Sequence, residues 1–228
     1  MRHMALAAAL IFAMPAAAEA PYVTAAQVDL MRLLPPPPAA GSAEERAELA
    51  EVLAVQGSRT PERLAQAAAD VEESLPAMFG AILGPNVTKE RAPALFHLFA
   101  RLAETEEVVT GPAKSGFARP RPFQAHPEVK PGIKLPNSGA WPSGHTTIGT
   151  LTGITLAAIL PEQRDAIHAR IRDYSESRLV GGVHHRSDLV VGARAGTAIA
   201  AVLANDPAFQ ADYAAARREL RGALGLPL

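Results

Sequence analysis

The run Pro142-Ser143-Gly144-His145-Thr-Thr-Ile-Gly-Thr-Leu-Thr-Gly-Ile-Thr-Leu-Ala-Ala-Ile-Leu160 settles the architecture. It opens as a Pro-Ser-Gly turn, continues without a single charge, and is stopped by Pro161. Apolar residues fall on every side of such a helix. Only a bilayer or the centre of a helical domain accepts that pattern. The apolar part is about 15 residues long, against the roughly 20 needed to span a membrane. A second apolar run, 189–203, has similar length and contains Arg194. Both are therefore read as core helices packed against each other.

Outward from this pair the chain reads as helices with turn signals between them. Ser42, with Glu45 three residues on, is a capping-box signal for a helix through Val55, closed by Gly57. Thr60-Pro61 starts another, to about Val71. A short apolar helix covers Leu75 to Leu83. Thr88 is read as the cap of the next, which carries Leu95, Phe96, Leu98, Phe99 and Leu102 and ends near Val109. Residues 111–141, rich in Pro and Gly, read as a long loop, and loops of that length usually have a function. Glu162 to Arg178, Ser187 to Ala204, and Asp206-Pro207 to about Leu224 complete the helices. No strand alternation appears, so the class is all-α, a single-domain helical bundle.

With 228 residues the chain can bury a substantial core, and its formal charge of −1 without a basic run argues against a nucleic acid polymer as partner. There is no cysteine, hence no disulfide. Arg2 and His3 precede an apolar stretch, Met4 to Met14, and Ala18-Glu19-Ala20 offers a small-x-small site. This reads as a secretory signal over residues 1–20, cleaved before Pro21. Residues 21–41, with Leu33-Leu34-Pro-Pro-Pro-Pro38, read as an extended proline-rich arm, leaving 42–228 as the helical domain.

Three separated pieces carry the chemistry: Lys114, six residues, then Arg121-Pro122; Pro142-Ser143-Gly144-His145; and Ser177-Arg178, five residues, His184, three residues, Asp188. Together they supply three cations, two histidines, a carboxylate and a Ser-Gly turn. Phosphoryl transfer needs a nucleophile, an acid for the leaving oxygen, and charge around the equatorial oxygens. His184 can attack phosphorus, and Asp188 can fix its tautomer. His145 can protonate the leaving oxygen. Ser143 and the Gly144 N–H, at a helix start, suit an anion, as do Lys114, Arg121 and Arg178. Arg119 is read as a flanking charge and Glu104-Glu106-Glu107 as a solvated helix end. His97 reads as packing, His168 as solvent-facing, and His126 as rim or loop. No metal and no cofactor are expected.

These three pieces, in this order and with this internal spacing, resemble the bacterial class A non-specific acid phosphatases of the type 2 phosphatidic acid phosphatase and vanadium haloperoxidase superfamily. The likeness covers roughly residues 114–190, and the proline run at 33–38 resembles the start of mature class A enzymes. It implies an acid phosphatase acting on small phosphate monoesters through a phosphohistidine, blocked by vanadate, and exported to the periplasm or beyond. His185 departs from the aromatic neighbour common in that family, which bears on substrate preference. The competing readings are a vanadate-dependent haloperoxidase, which a short chain disfavours, a lipid phosphatase, which needs membrane spans, and a non-enzymatic phosphate-binding protein. Membrane insertion is not expected, and a homo-oligomer is left open.

Overall fold

The computed structural model describes residues 20–228, so nearly all of the expected signal segment lies outside the described residues. The chain folds as helices α1 (Leu30–Leu33), α2 (Ala43–Ser58), α3 (Pro61–Ala69), α4 (Leu75–Leu83), α5 (Pro93–Phe117), α6 (Pro122–Ala125), α7 (Gly144–Ile159), α8 (Arg164–Val180), α9 (Arg186–Leu203) and α10 (Pro207–Ala223). A short 3-10 turn, Pro161–Gln163, joins α7 to α8. No strand occurs among the described residues.

Helix α7 is the axis of the bundle. Ser143 caps it by accepting the Thr146 N–H. Beyond the cap it is buried almost all round, against α9, α8 and α5. The two uncharged runs do pack against each other, and more closely than ordinary side chains allow. A Cβ placed on Gly196 of α9 would stand 2.6 Å from the Thr147 carbonyl oxygen and 2.9 Å from Thr150 Cβ of α7. No single helix among the described residues is long and apolar enough to cross a membrane; α9 and α10 pass a length-and-composition test only as a pair bent by 97°.

The arm is not extended throughout, because Asp29 caps the turn of helix α1. Tyr22, Val23, Val28, Leu30 and Leu34 are buried in the main core. Tyr22 donates its N–H to Thr105 Oγ1 (2.9 Å) and its hydroxyl to Asp212 (2.7 Å), and its ring meets Phe209 edge-on. The arm then lies across the body, where Trp141 Nε1 donates to the Pro35 carbonyl at 3.1 Å.

Two readings of the sequence need correction around α5. The helix starts at Pro93, after Ala92 and without a side-chain cap, rather than at Thr88. It also continues through Gly111 and Pro112 to Phe117, so residues 111–117 are helix and not loop. Pro112 is exposed, as is the neighbouring Val108, whose carbonyl loses its intrahelical donor where water can replace it. Val109 and Ala113, on the inner face, are 1% exposed. Burial there outweighs local propensity. The helix ends where Ala118 turns left-handed at φ 48°. Lys114 therefore sits on a rigid last turn.

Gly196→Ala is expected to destabilise the protein by about 1–3 kcal/mol, because the obstacle is backbone and cannot rotate away. Denaturant unfolding reads this directly. A gain in stability, from alanine's better helix propensity, would mean that α7 and α9 are not this close.

Candidate active site

The last turn of α5, the N-termini of α7 and α9, and the C-terminus of α8 converge on one cavity of about 340 Å³. Lys114, Arg121, Gly144, His145, Arg178 and His184 line it. The three pieces separated in sequence thus meet at one place, with Ser143 and Asp188 directly behind.

His184 is 2% exposed. Its Nδ1 lies 3.1 Å from Asp188 Oδ2, and its Nε2 lies 2.8 Å from Arg121 Nη1. A guanidinium only donates and a carboxylate only accepts. The proton therefore sits on Nδ1, and Nε2 is unprotonated, its lone pair accepting from Arg121 Nη1. Burial, reinforced by Arg121 and Arg178 and opposed by Asp188, pushes the His184 pKa down to about 3. The ring is neutral down to about pH 3.

Asp188 is fully buried. Its Oδ2 also accepts the His185 N–H at 2.7 Å, capping α9, and its Oδ1 accepts from Arg119 Nη1 at 2.6 Å. Burial raises the carboxyl's pKa, but the bonds from His184 and His185 and the charge of Arg119 outweigh it and hold the group well below the usual range. Arg119, read from the sequence as a flanking charge, is part of the site's support. It is buried and bridges Asp188 to Glu48 of α2, whose Oε2 stands 2.7 Å from Arg119 Nη2. Glu48 Oε1 accepts the Ser187 N–H at 2.6 Å.

His145 has the opposite surroundings. Its Nδ1 lies 2.6 Å from Glu73 Oε1 and its Nε2 lies 3.3 Å from the Val71 carbonyl. Both neighbours accept, so both nitrogens are best satisfied carrying hydrogens. Its ring stacks on Tyr174, with centroids 5.7 Å apart. Burial pushes its pKa down, assisted by Arg178, while Glu73 and Val71 pull it back. Burial likewise raises Glu73, but the His145 bond and the charges of Arg178 and Lys114 outweigh this and hold it down.

Arg121 donates to the Ser138 and Val183 carbonyls at 2.8 and 2.9 Å, which fixes its fork. Arg178 is held differently. The preceding Ser177 is anchored to Asp70 at 2.5 Å, while Arg178 Nε and Nη1 are buried without a hydrogen-bond partner. Such orphaned donors are rare, and an anion satisfies them. A Cβ on Gly144 would stand 2.7 Å from Lys114 Nζ and 3.1 Å from Glu106 Oε1, so any side chain there displaces the Lys114 ammonium from its place beside the α7 N-terminus. Thr146 donates to Ser143 Oγ at 3.0 Å, which leaves the Ser143 hydrogen free to donate elsewhere.

Four residues of the site were missed in the sequence. Glu73 comes from the turn before α4, Glu48 from α2, and Arg119 had been set aside. Glu106 lies inside the site and not at a solvated helix end. It is 9% exposed, accepts from Thr110 Oγ1 at 2.9 Å, and burial raises its pKa to about 7 against the pull of Lys114. Only the continuity of α5 past Pro112 puts it on the same body as Lys114. His126 pairs with Glu45 at 2.8 Å. His97 is not core packing, since its side chain is 42% exposed and faces Asp212 at 3.5 Å. His168 is half-buried. His185 is buried, with neither ring nitrogen hydrogen-bonded, and Nδ1 is 3.7 Å from Asp188 Oδ2. No group of three or more His, Asp or Glu among the described residues is placed to hold a metal ion.

The family model described as PAP2 superfamily matches residues 94–211. The chain is 32% identical to a non-specific acid phosphatase of Providencia stuartii, over 84% of this chain and 81% of that one. It is 29% identical to the Salmonella typhimurium non-specific acid phosphatase, covering 82% and 78%, and 31% identical to a Zymomonas mobilis acid phosphatase, covering 86% and 76%. Among solved structures the fold resembles a transmembrane phosphatidylglycerolphosphate phosphatase from Bacillus subtilis, at TM-score 0.54 and 16% identity, covering 77% of this chain and 89% of that one. It also resembles a bacterial vanadium-dependent iodoperoxidase, at TM-score 0.60 and 17% identity, covering 75% and 52%.

The buried groups give stability opposing pH slopes. His184, held neutral down to about 3, makes stability fall as pH drops below 6.5, because only the unfolded chain takes up the proton. Glu106, protonated up to about 7, makes stability fall as pH rises above 4.5, because only the unfolded chain releases it. In Glu106→Gln the loss between 4.5 and 7 should disappear, so the variant gains on the parent as pH rises. Urea midpoints at the two ends of that window measure it, and an unchanged gap between variant and parent would rule it out.

Proposed function

From a chain that belongs to the PAP2 superfamily, as an acid phosphatase, we propose hydrolysis of small phosphate monoesters through a phosphohistidine on His184. The observation that carries the reading is the fixed tautomer of His184, with Nε2 unprotonated and facing three cations. In the first step Nε2 forms a bond to phosphorus while the ester P–O bond breaks. Protonated His145 gives its proton to the leaving oxygen. In the second step His145 takes a proton from water, whose oxygen attacks phosphorus and breaks the P–N bond. Inorganic phosphate leaves and both histidines return to their starting states.

Lys114, Arg121 and Arg178 neutralise the equatorial oxygens, with the Ser143 hydroxyl and the N–H groups that open α7. Arg121 shifts its Nη1 bond from His184 to the phosphoryl group, freeing the lone pair as substrate enters. Asp188 steadies the positive charge that appears on His184. Glu73 does the same for His145, so each histidine has its own carboxylate. The three side-chain cations supply the charge that metal ions provide elsewhere, which supports a metal-independent reaction. The leader-like residues 1–20 support export to the periplasm or beyond, with cleavage before Pro21.

Residues 21–228 should release phosphate from p-nitrophenyl phosphate at about pH 6 in EDTA. Activity should vanish in His184→Ala and be blocked by vanadate. A chelator-sensitive activity, or one that survives in His184→Ala, would overturn the mechanism. The mass of the exported protein checks the cleavage site.

Glu73→Gln tests the second histidine. Loss of its charge should cost about 100-fold on alkyl phosphates, which need a proton on the leaving oxygen, and far less on aryl phosphates. Equal losses on both classes would remove Glu73 from the proton path.

A further inference from the structure

Charge in the cavity is sorted along helix α5. Lys114 stands at the inner end. Glu107, seven residues earlier, lies on the same stripe of the helix about 10 Å along its axis, and Glu104 is one turn further back. Both glutamates line the cavity. Glu107 is exposed and Glu104 half-buried, which places them toward the mouth, whereas Arg121, Arg178 and His184 are buried at the floor. Neither glutamate has a cation within ion-pair distance among the described residues. The nearby helix cation, Arg101, is committed to Asp212 at 2.6 Å.

A second observation fixes which end takes the phosphoryl group. Arg178, 2% exposed, turns two unpartnered donors into the cavity floor. With the phosphoryl group held there between His184 and His145, the alcohol half has to extend from the floor toward the mouth, where Glu104 and Glu107 line the cavity. It then meets two carboxylates without counterions. An alcohol bearing a second phosphate or a carboxylate is repelled at that position. One bearing an ammonium group a few bonds from the ester oxygen completes both ends of the cavity.

We infer that the site selects phosphate monoesters whose alcohol carries a cationic nitrogen, and discriminates against those whose alcohol carries an anion, through Glu104 and Glu107. This rests on the phosphatase reading of the same cavity. Both glutamates act through charge at the mouth and take no part in proton or phosphoryl transfer, so their effect belongs in KM.

Three substrates of nearly equal size separate the charge term: O-phosphoethanolamine, propyl phosphate and 2-phosphoglycolate. In the parent protein kcat/KM should fall in that order, spanning about tenfold, the size expected of two part-exposed ion pairs. In the double variant Glu104→Gln/Glu107→Gln the span should shrink to about twofold. About 0.5 M KCl should compress it in the parent protein too, a readout independent of how the variant folds. Equal kcat/KM for all three in the parent, or the full span surviving in the double variant, overturns the inference and leaves the phosphatase reading standing. If the parent fails even on p-nitrophenyl phosphate, the phosphatase reading falls and takes this inference with it.

Discussion

The carboxylate of Asp188 holds the site together. A fully buried charge survives only when its oxygens are engaged, and leaving one unpaired costs several kcal/mol. Here one oxygen takes Arg119, and the other takes the His184 ring and the His185 backbone. The Asp188 carbonyl also accepts the Ser143 N–H at 3.1 Å, tying the start of α7 to the start of α9. Two helix N-termini are thereby held side by side, and both dipoles favour an anion at the same place. Because Arg119 is itself held by Glu48, the network reaches α2, which touches the cavity nowhere.

The two histidines differ because their neighbours differ. Arg121, a donor only, forces a lone pair onto His184; Val71 and Glu73, acceptors only, call for hydrogens on His145. Burial pushes both pKa values down, and only the neighbours can separate them. Lys114 and Glu106 form a third interacting pair beside Gly144, the glutamate buried and the lysine half-buried. Burial pushes the ammonium's pKa down and the carboxyl's up, and the charge of each opposes the shift of the other.

What the sequence made legible was chemistry in contiguous spacing. His184 and Asp188 stand four apart, the i,i+4 relation, and the Pro-Ser-Gly turn puts Ser143 at a helix start from its own neighbours. The central helices were legible because α7 carries no charge at all. Glu73, Glu48 and Glu106 were not legible. Glu73 and Glu48 reach the site through packing between elements distant in sequence, and a glutamate in a polar stretch looks the same whether it ends in water or inside the protein. Gly111-Pro112 hid Glu106, because a local helix-breaking signal was overruled by burial of the opposite face.

Tyr22 gives the fold an order in time. Synthesis delivers it among the first residues of the described chain, yet Phe209 and Asp212, its ring and hydroxyl partners, are among the last. The core cannot close around the arm until α10 has been made. A nascent chain that lacks that helix leaves Tyr22 without its ring and hydroxyl partners. Truncating α10 would strand the opposite end of the molecule.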